Sequence, residues 1–134
     1  MSPAEIVETM MSRDAFSRWL GIDVINAEPG KVSLQMTVNP EMVNGFGIAH
    51  GGIAFSFADS ALAFASNSHG KKAVSIETSI SHIKTVQEND LLTATAKLKS
   101  LSNKIGLYEV EVTNQNSILV ALFKGTVYRT SEEW

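Results

Sequence analysis

The sequence of 134 residues has no cysteine. That excludes disulfides, thiolate nucleophiles and thiolate-bound metals, and it fits a reducing compartment. Charge is also sparse. Charged residues make up 19% of the chain and the net charge is -3, so there is no basic footprint of the kind nucleic acid requires. Long apolar runs are missing too. The longest is interrupted by Gly, Ser and Asp and falls short of a bilayer span. Glu5, Glu8 and Asp14 break up the N-terminal segment, which lacks the basic start and apolar core of a secretory signal. The expectation is a cytoplasmic protein with no membrane or nucleic-acid partner. His50, His69 and His82 do not have metal-ligand spacing. There is no G-x-S-x-G elbow and no P-loop. In the stretch Gly45 to Gly51 the last glycine comes one position late for a dinucleotide fingerprint, and no βαβ pattern surrounds it. No metal and no bound cofactor are expected.

What is present suits one domain over residues 1–134. Hydrophobic residues amount to 44%, enough for one sizeable core. Ser2-Pro3-Ala4-Glu5 has the form of a capping box with Pro at the first helical position. Ile6, Val7, Met10 and Met11 follow at helical spacing, then Phe16, Trp19 and Leu20, with a break expected near Ser12 to Asp14. Residues 22 to 28, the turn at Glu28-Pro29-Gly30 and the alternation of Val32, Leu34, Met36 and Val38 predict a hairpin. A Gly- and Asn-rich loop leads to a long helix from Gly51 to about Ser66. Four strands follow. Val74, Ile76 and Ile80 are expected on one face of the first, with Ser75, Glu77, Ser79 and Ser81 on its solvated face. The last strand, residues 118 to 128, opens with an almost continuous apolar run that predicts a central place in the sheet. The class is α+β: one antiparallel sheet, strongly curved and wrapped around one long helix that is apolar on every side.

One residue does not fit that helix. Between Met42 and Gly70 the only formal charge is Asp59, surrounded by Ala, Phe and Leu. A carboxylate in such a place costs several kcal/mol unless it is paired, and burial raises its pKa. It is either a structural Asp bonded to Ser56, Ser60 or a strand, or a solvated group at a subunit boundary, or a functional group. Gly51 and Gly52 open the same helix, whose first N–H groups have no internal acceptor and lie at the positive end of the dipole. Such amides polarise a carbonyl that gains charge during attack. They also let the chain turn into a helix. Gly51 and Asp59 are about 12 Å apart along one helix, too far to act on one carbon. A symmetric dimer would bring Gly51 of one copy against Asp59 of its mate.

The remaining candidates each have two readings. His50 either assists catalysis or fixes its loop by hydrogen bonds. Asn44 either donates to a carbonyl or tolerates a left-handed turn before Gly45. Glu77 is a rival carboxylate on an exposed face. Lys84 and Lys104, with Lys71, Lys72 and Arg129, are basic groups near strand ends that either meet a phosphate or face solvent.

The stretch "MVNGFGIAHGGIAFSFADSALAFASNSHG" resembles the core signature of hotdog-fold acyl-CoA thioesterases. It is most similar to the phenylacetate-degradation (PaaI-type) branch, with N-G, H-G-G and A-D-[ST] at matching spacing. "LGIDVINAEPGKVSLQMTV", "DLLTATAKL" and "GLYEVEVTNQNSILVALFKG" extend the likeness over most of the chain. The resemblance implies a hotdog fold, a homodimer commonly paired into a homotetramer, and active sites at the dimer interface. It implies hydrolysis of an acyl-CoA, aromatic or medium-chain, with coenzyme A as part of the substrate. By position, Asp59 matches the catalytic carboxylate and Gly51 the amide that polarises the thioester. Asn44 matches the Asn that holds substrate or nucleophile, His50 a supporting His, and Ser75 a serine that places water. "HIKTV" stands where relatives often carry Arg-Pro, so Lys84 takes the place of that arginine. A binding or regulatory protein for acyl-CoA or another apolar ligand is the alternative, with Asp59 structural. A thiol-release assay beside a binding titration separates the two.

Overall fold

A computed structural model describes residues 1–134. The first helix, α1 (Pro3–Arg13), starts on the expected capping box, with the Ser2 hydroxyl accepting from the Glu5 N–H and the Glu5 carboxylate accepting from the Ser2 N–H. It stops at Asp14, whose side chain accepts from the Ser17 N–H and thereby caps a second, short helix, α2 (Ala15–Trp19). The expected break is therefore an N-cap for the next helix.

A hairpin of β1 (Asp23–Glu28) and β2 (Lys31–Thr37) turns at Gly30, whose φ of 72° lies in the left-handed region. The central helix α3 (Gly51–Asn67) precedes β3 (Lys71–His82), β4 (Leu91–Leu101), β5 (Ile105–Thr113) and β6 (Leu119–Glu133). The strands form one six-stranded sheet in the order β1-β2-β4-β5-β6-β3, with every neighbour antiparallel. As its apolar start predicts, β6 is flanked on both sides.

Alternate residues of β2, β4, β5 and β6 form a fully buried inner face, and α3 lies on it through Phe57, Ala58, Ala61, Leu62 and Ala65. Small residues set the distance. Ala94 and Ala96 lie beneath the helix, and a side chain at Gly125 would collide with Leu62. Each large aliphatic or aromatic group buried here contributes about 1.5–3 kcal/mol. Phe57 and Met36, at 0% and 1% exposure, belong to this core.

Two expectations need correction. The sheet curves over α3 but does not close, because β1 and β3 remain as separate edges. One stripe of the helix, Phe55, Ser56, Asp59 and Ala63, is consequently only half-buried, so α3 is not surrounded on every side. The second correction concerns β3. Its register against β6 shifts between Ser75 and Glu77, leaving Ile76 as an inserted bulge residue. Before the bulge, Ser75 pairs with buried Val127 and so lies on the helix side, while Val74 pairs with exposed Tyr128. After it, Ile80 pairs with buried Phe123, and Glu77 and Ser79 face outward with Thr126 and Lys124. Strict alternation puts Ser75 with Glu77; the extra residue separates them.

The C-terminal end of α3 is tied down by Asn67, which is 2% exposed. Its amide donates to the carbonyls of Ala63 and Ala73, and its oxygen accepts from the Ala73 N–H and the Trp134 indole. No helix is long and apolar enough to cross a membrane. Replacing Asn67 by Ala strands the β3 start and the Trp134 N–H together. Asn67→Ala should lower unfolding free energy by about 2 kcal/mol or more, read from urea denaturation. A loss within about 0.5 kcal/mol would show that the clamp is dispensable.

Candidate active site

Asp59 projects from the open stripe of α3, where two recesses meet. One, of about 210 Å³, lies toward α2 and is bounded by Asp14, Phe16, Phe55, Ser56 and Ala63 as well as Asp59. The other, of about 260 Å³, lies toward β3 and is bounded by Leu62, Ser66, Ala73, Ser75 and Val127 along with Asp59. The bulge that turns Ser75 inward places it on this second recess.

The carboxylate has no partner in the chain. The single ion pair is Lys72–Glu132, at 3.9 Å. The adjacent hydroxyl of Ser60 is engaged with Ser17 at 2.8 Å, and Ser17 is in turn bonded to Asp14 at 2.7 Å. Ser56 makes no bond to Asp59 either. Burial alone pushes the Asp59 pKa above its ordinary 3.8. A structural Asp held by its serines is therefore not what the fold contains. Glu77, the rival carboxylate, lies on the outer side of the sheet, exposed.

A third cavity, of about 280 Å³, opens at the N-terminal end of α3. Asn44, His50, Gly51 and Lys84 all line it, together with His82. His50 caps the helix: its Nδ1 accepts from the Gly52 N–H at 2.9 Å, so the ring proton sits on Nε2. The Gly51 N–H, one residue earlier, has no acceptor within the chain. A Cβ at Gly51 would come within 3.3 Å of the His82 Nε2, so glycine lets that ring sit close against the helix tip. Asn44 makes an Asx turn, its oxygen accepting from Phe46 N–H at 2.9 Å and Ile48 N–H at 3.4 Å, and its amide hydrogens remain available to the cavity. The left-handed residue in this loop is Gly47, with φ 82°, rather than Asn44 or Gly45.

The sequence-predicted residues thus fall into two groups. Asn44, His50, Gly51 and Lys84 share the helix N-terminus, while Asp59 and Ser75 share the β3 recess. Within one chain about 12 Å of helix separates Gly51 from Asp59. Lys104 belongs to neither group. It lies exposed on the turn before β5, and its carbonyl accepts from Arg129, which pairs with Ala73 at the start of β3. Lys84 follows the far end of the same strand, about 30 Å away at roughly 3.3 Å per residue. His82 was legible only as an isolated strand histidine; nothing in its spacing signals contact with Gly51.

Residues 46–121 match the Thioesterase superfamily. The chain is 40% identical to acyl-coenzyme A thioesterase PaaI of Escherichia coli over 120 residues, 90% of this chain and 86% of that protein. It is 28% identical to human acyl-coenzyme A thioesterase 13, over 83% of this chain and 81% of that one. The solved structure of the E. coli PaaI protein from the phenylacetic acid degradation operon superposes with a TM-score of 0.96 at 37% identity, covering 98% of this chain and 95% of that chain. A Streptococcus mutans protein solved with acetyl CoA bound superposes at 0.82 with 28% identity, covering 84% and 91%.

The isolation of Asp59 has a consequence for stability. Its folded-state pKa is raised, so the folded chain holds this proton more tightly than the unfolded chain, and stability falls as pH rises from 3.8 through the folded value. Asp59→Asn removes that loss. In urea denaturation the variant should gain stability over the parent at about pH 7 and show little difference at about pH 4. A variant that is less stable at neutral pH would mean that the carboxylate has a favourable partner.

Proposed function

Because this chain belongs to the hotdog-fold thioesterase superfamily, in the same group as PaaI, we propose that it hydrolyses acyl-CoA thioesters at sites each completed by two copies of the chain. One observation carries this reading. A free amide and an unpartnered carboxylate both face outward from a single helix, about 12 Å apart. Neither has a counterpart within reach in its own chain, and a twofold arrangement of two such helices supplies each with the other.

In that arrangement the thioester carbonyl accepts from the Gly51 N–H, at the positive end of the α3 dipole. Asp59 of the second copy takes a proton from water as the water oxygen attacks the carbonyl carbon; alternatively its carboxylate attacks that carbon itself, the C–S bond breaks to leave an acyl anhydride on Asp59, and water then hydrolyses the anhydride to the free acid and the regenerated carboxylate. The tetrahedral intermediate collapses with cleavage of the C–S bond. The CoA sulfur leaves with a proton, and the free acid remains. Ser75 orients the water in the β3 recess. The Asn44 amide hydrogens hold the substrate at the other end, and His50 keeps the helix tip in place through its cap. Lys84, on the same cavity as Gly51, is the basic group for the CoA phosphates. Lys104 takes part only when contributed by another copy. The likeness to PaaI supports an aromatic acyl group.

The interface follows from β3. This edge strand exposes Val74 and Ile76, each at 59%, along with its unpaired backbone groups. Pairing with a second β3 continues the sheet, satisfies those groups and sets Val74 and Ile76 beside apolar neighbours of the second copy. Two such dimers make the tetramer.

Asp59→Asn should cut kcat for a good acyl-CoA by roughly 10²–10⁴-fold with the oligomer intact, and Ser75→Ala by a smaller factor, both followed by thiol release. Near-normal turnover in Asp59→Asn would exclude the carboxylate mechanism. Saturable acyl-CoA binding by the parent without thiol release would instead support a binding or regulatory protein. The double variant Val74→Lys, Ile76→Lys should sediment as a 14.5 kDa monomer and lose turnover; an active monomer would contradict the shared site.

A further inference from the structure

Two loops of this chain make the same turn. The Asn44 N–H donates to the Ile48 carbonyl, and the Asn44 carbonyl accepts from the Gly47 N–H. The Asn44 side-chain oxygen accepts from the N–H groups of Phe46 and Ile48, at 2.9 and 3.4 Å. Asn114 repeats the pattern between β5 and β6, with Ile118 and Ser117 as its backbone partners. Its side-chain oxygen accepts from the N–H groups of Asn116 and Ile118, at 2.9 and 3.1 Å. Each turn holds a left-handed residue at the same place, Gly47 with φ 82° and Ser117 with φ 60°. The loops differ at the residue after the Asn, which is Gly45 in one and Gln115 in the other. Asn44–Gly45 is the single Asn-Gly pair of the sequence.

We propose that Asn44 is a site of spontaneous deamidation, a modification that switches off the site to which Asn44 belongs. The reaction is intramolecular and needs only water. The Gly45 N–H has no acceptor in the chain, and glycine leaves its nitrogen unshielded, with nothing within 4 Å of where a Cβ would stand. Two N–H donors draw electron density from the Asn44 side-chain carbonyl, as an oxyanion hole does. The Gly45 nitrogen gives its proton to water and bonds to the Asn44 Cγ. The Cγ–Nδ2 bond breaks, and the side-chain nitrogen takes a proton from water and leaves as ammonia. The cyclic imide that remains is opened by water at either carbonyl, giving aspartate or, where the main-chain bond breaks, isoaspartate. No electrons are exchanged; amide and water become carboxylate and ammonium. The consequence for activity rests on the thioesterase reading above. Asn44 brings amide hydrogens to the cavity it shares with Gly51. The product carboxylate brings only acceptors, at the helix tip where the thioester oxygen gains negative charge.

The test incubates the folded parent in warm, mildly alkaline buffer and follows peptide masses and thiol release from phenylacetyl-CoA. The peptide holding Asn44 should gain about one dalton while that holding Asn114 stays unchanged, and activity should fall in step with that gain. Gly45→Ala, whose new Cβ meets open space, should keep both mass and activity over the same period. Asn44→Asp should start with kcat/KM lower by roughly tenfold or more. An unchanged Asn44 peptide, or equal gains at Asn44 and Asn114, would overturn the site. Full modification at Asn44 with undiminished thiol release would overturn the switch. A parent that releases no thiol would defeat the thioesterase reading itself, and the two peptide masses would then decide the modification alone.

Discussion

Everything distinctive about this molecule depends on one uncompensated charge. Helix α3 is held against its sheet by apolar contacts at Phe57, Ala58, Ala61, Leu62 and Ala65, and those contacts orient the rest of the helix. With that face committed, Asp59 must emerge on the stripe that the sheet leaves open. Burial raises its pKa, and no group in the chain offsets the cost. The adjacent hydroxyl of Ser60 is used elsewhere, bonded to Ser17, which is bonded in turn to Asp14. A fold that spends its local donors this way keeps the carboxylate available.

The start of the same helix shows the complementary condition. His50 satisfies the Gly52 N–H and thereby rigidifies the first turn, while the Gly51 N–H has no acceptor in the chain and Gly51 lines a cavity. The His82 ring lies where a Cβ at Gly51 would come within 3.3 Å of it. A charge-accepting tip and a proton-accepting side chain are thus carried on one rigid rod, and the rod's length keeps them from meeting. In the proposed dimer, the open edge of β3 is what juxtaposes two rods.

Much of this was legible in the amino-acid order because local rules governed it. The Ser2–Glu5 box, the break at Asp14, the Gly30 turn and both ends of α3 follow from caps and turns that act within a few residues. Asp59 stood out because a lone charge in an apolar helix is conspicuous. Three features were not legible. The bulge at Ile76 is invisible to an alternation argument, since one inserted residue exchanges the faces, and Ser75 consequently reads as a face-mate of Glu77 although it borders, still exposed, the recess that Asp59 borders. The contact between His82 and Gly51 joins residues from different elements and has no sequence signature. The failure of the sheet to close depends on the summed twist of six strands, which no single strand encodes.

The central claim is that Gly51 and Asp59 act together only across two chains. Gly51→Pro removes the one free N–H at a position where Pro is tolerated, the first of the helix, and His50 already has the extended ψ of 137° that precedes it; the exposed His82 ring shifts by a few tenths of an ångström to admit the new Cβ. Co-expressed in equal amounts with Asp59→Asn, it produces mixed dimers in which one of the two sites is wholly wild-type. The account predicts that each variant alone is nearly inactive and that the mixture recovers about a quarter of parental thioesterase activity. A mixture no more active than its two parents would contradict it.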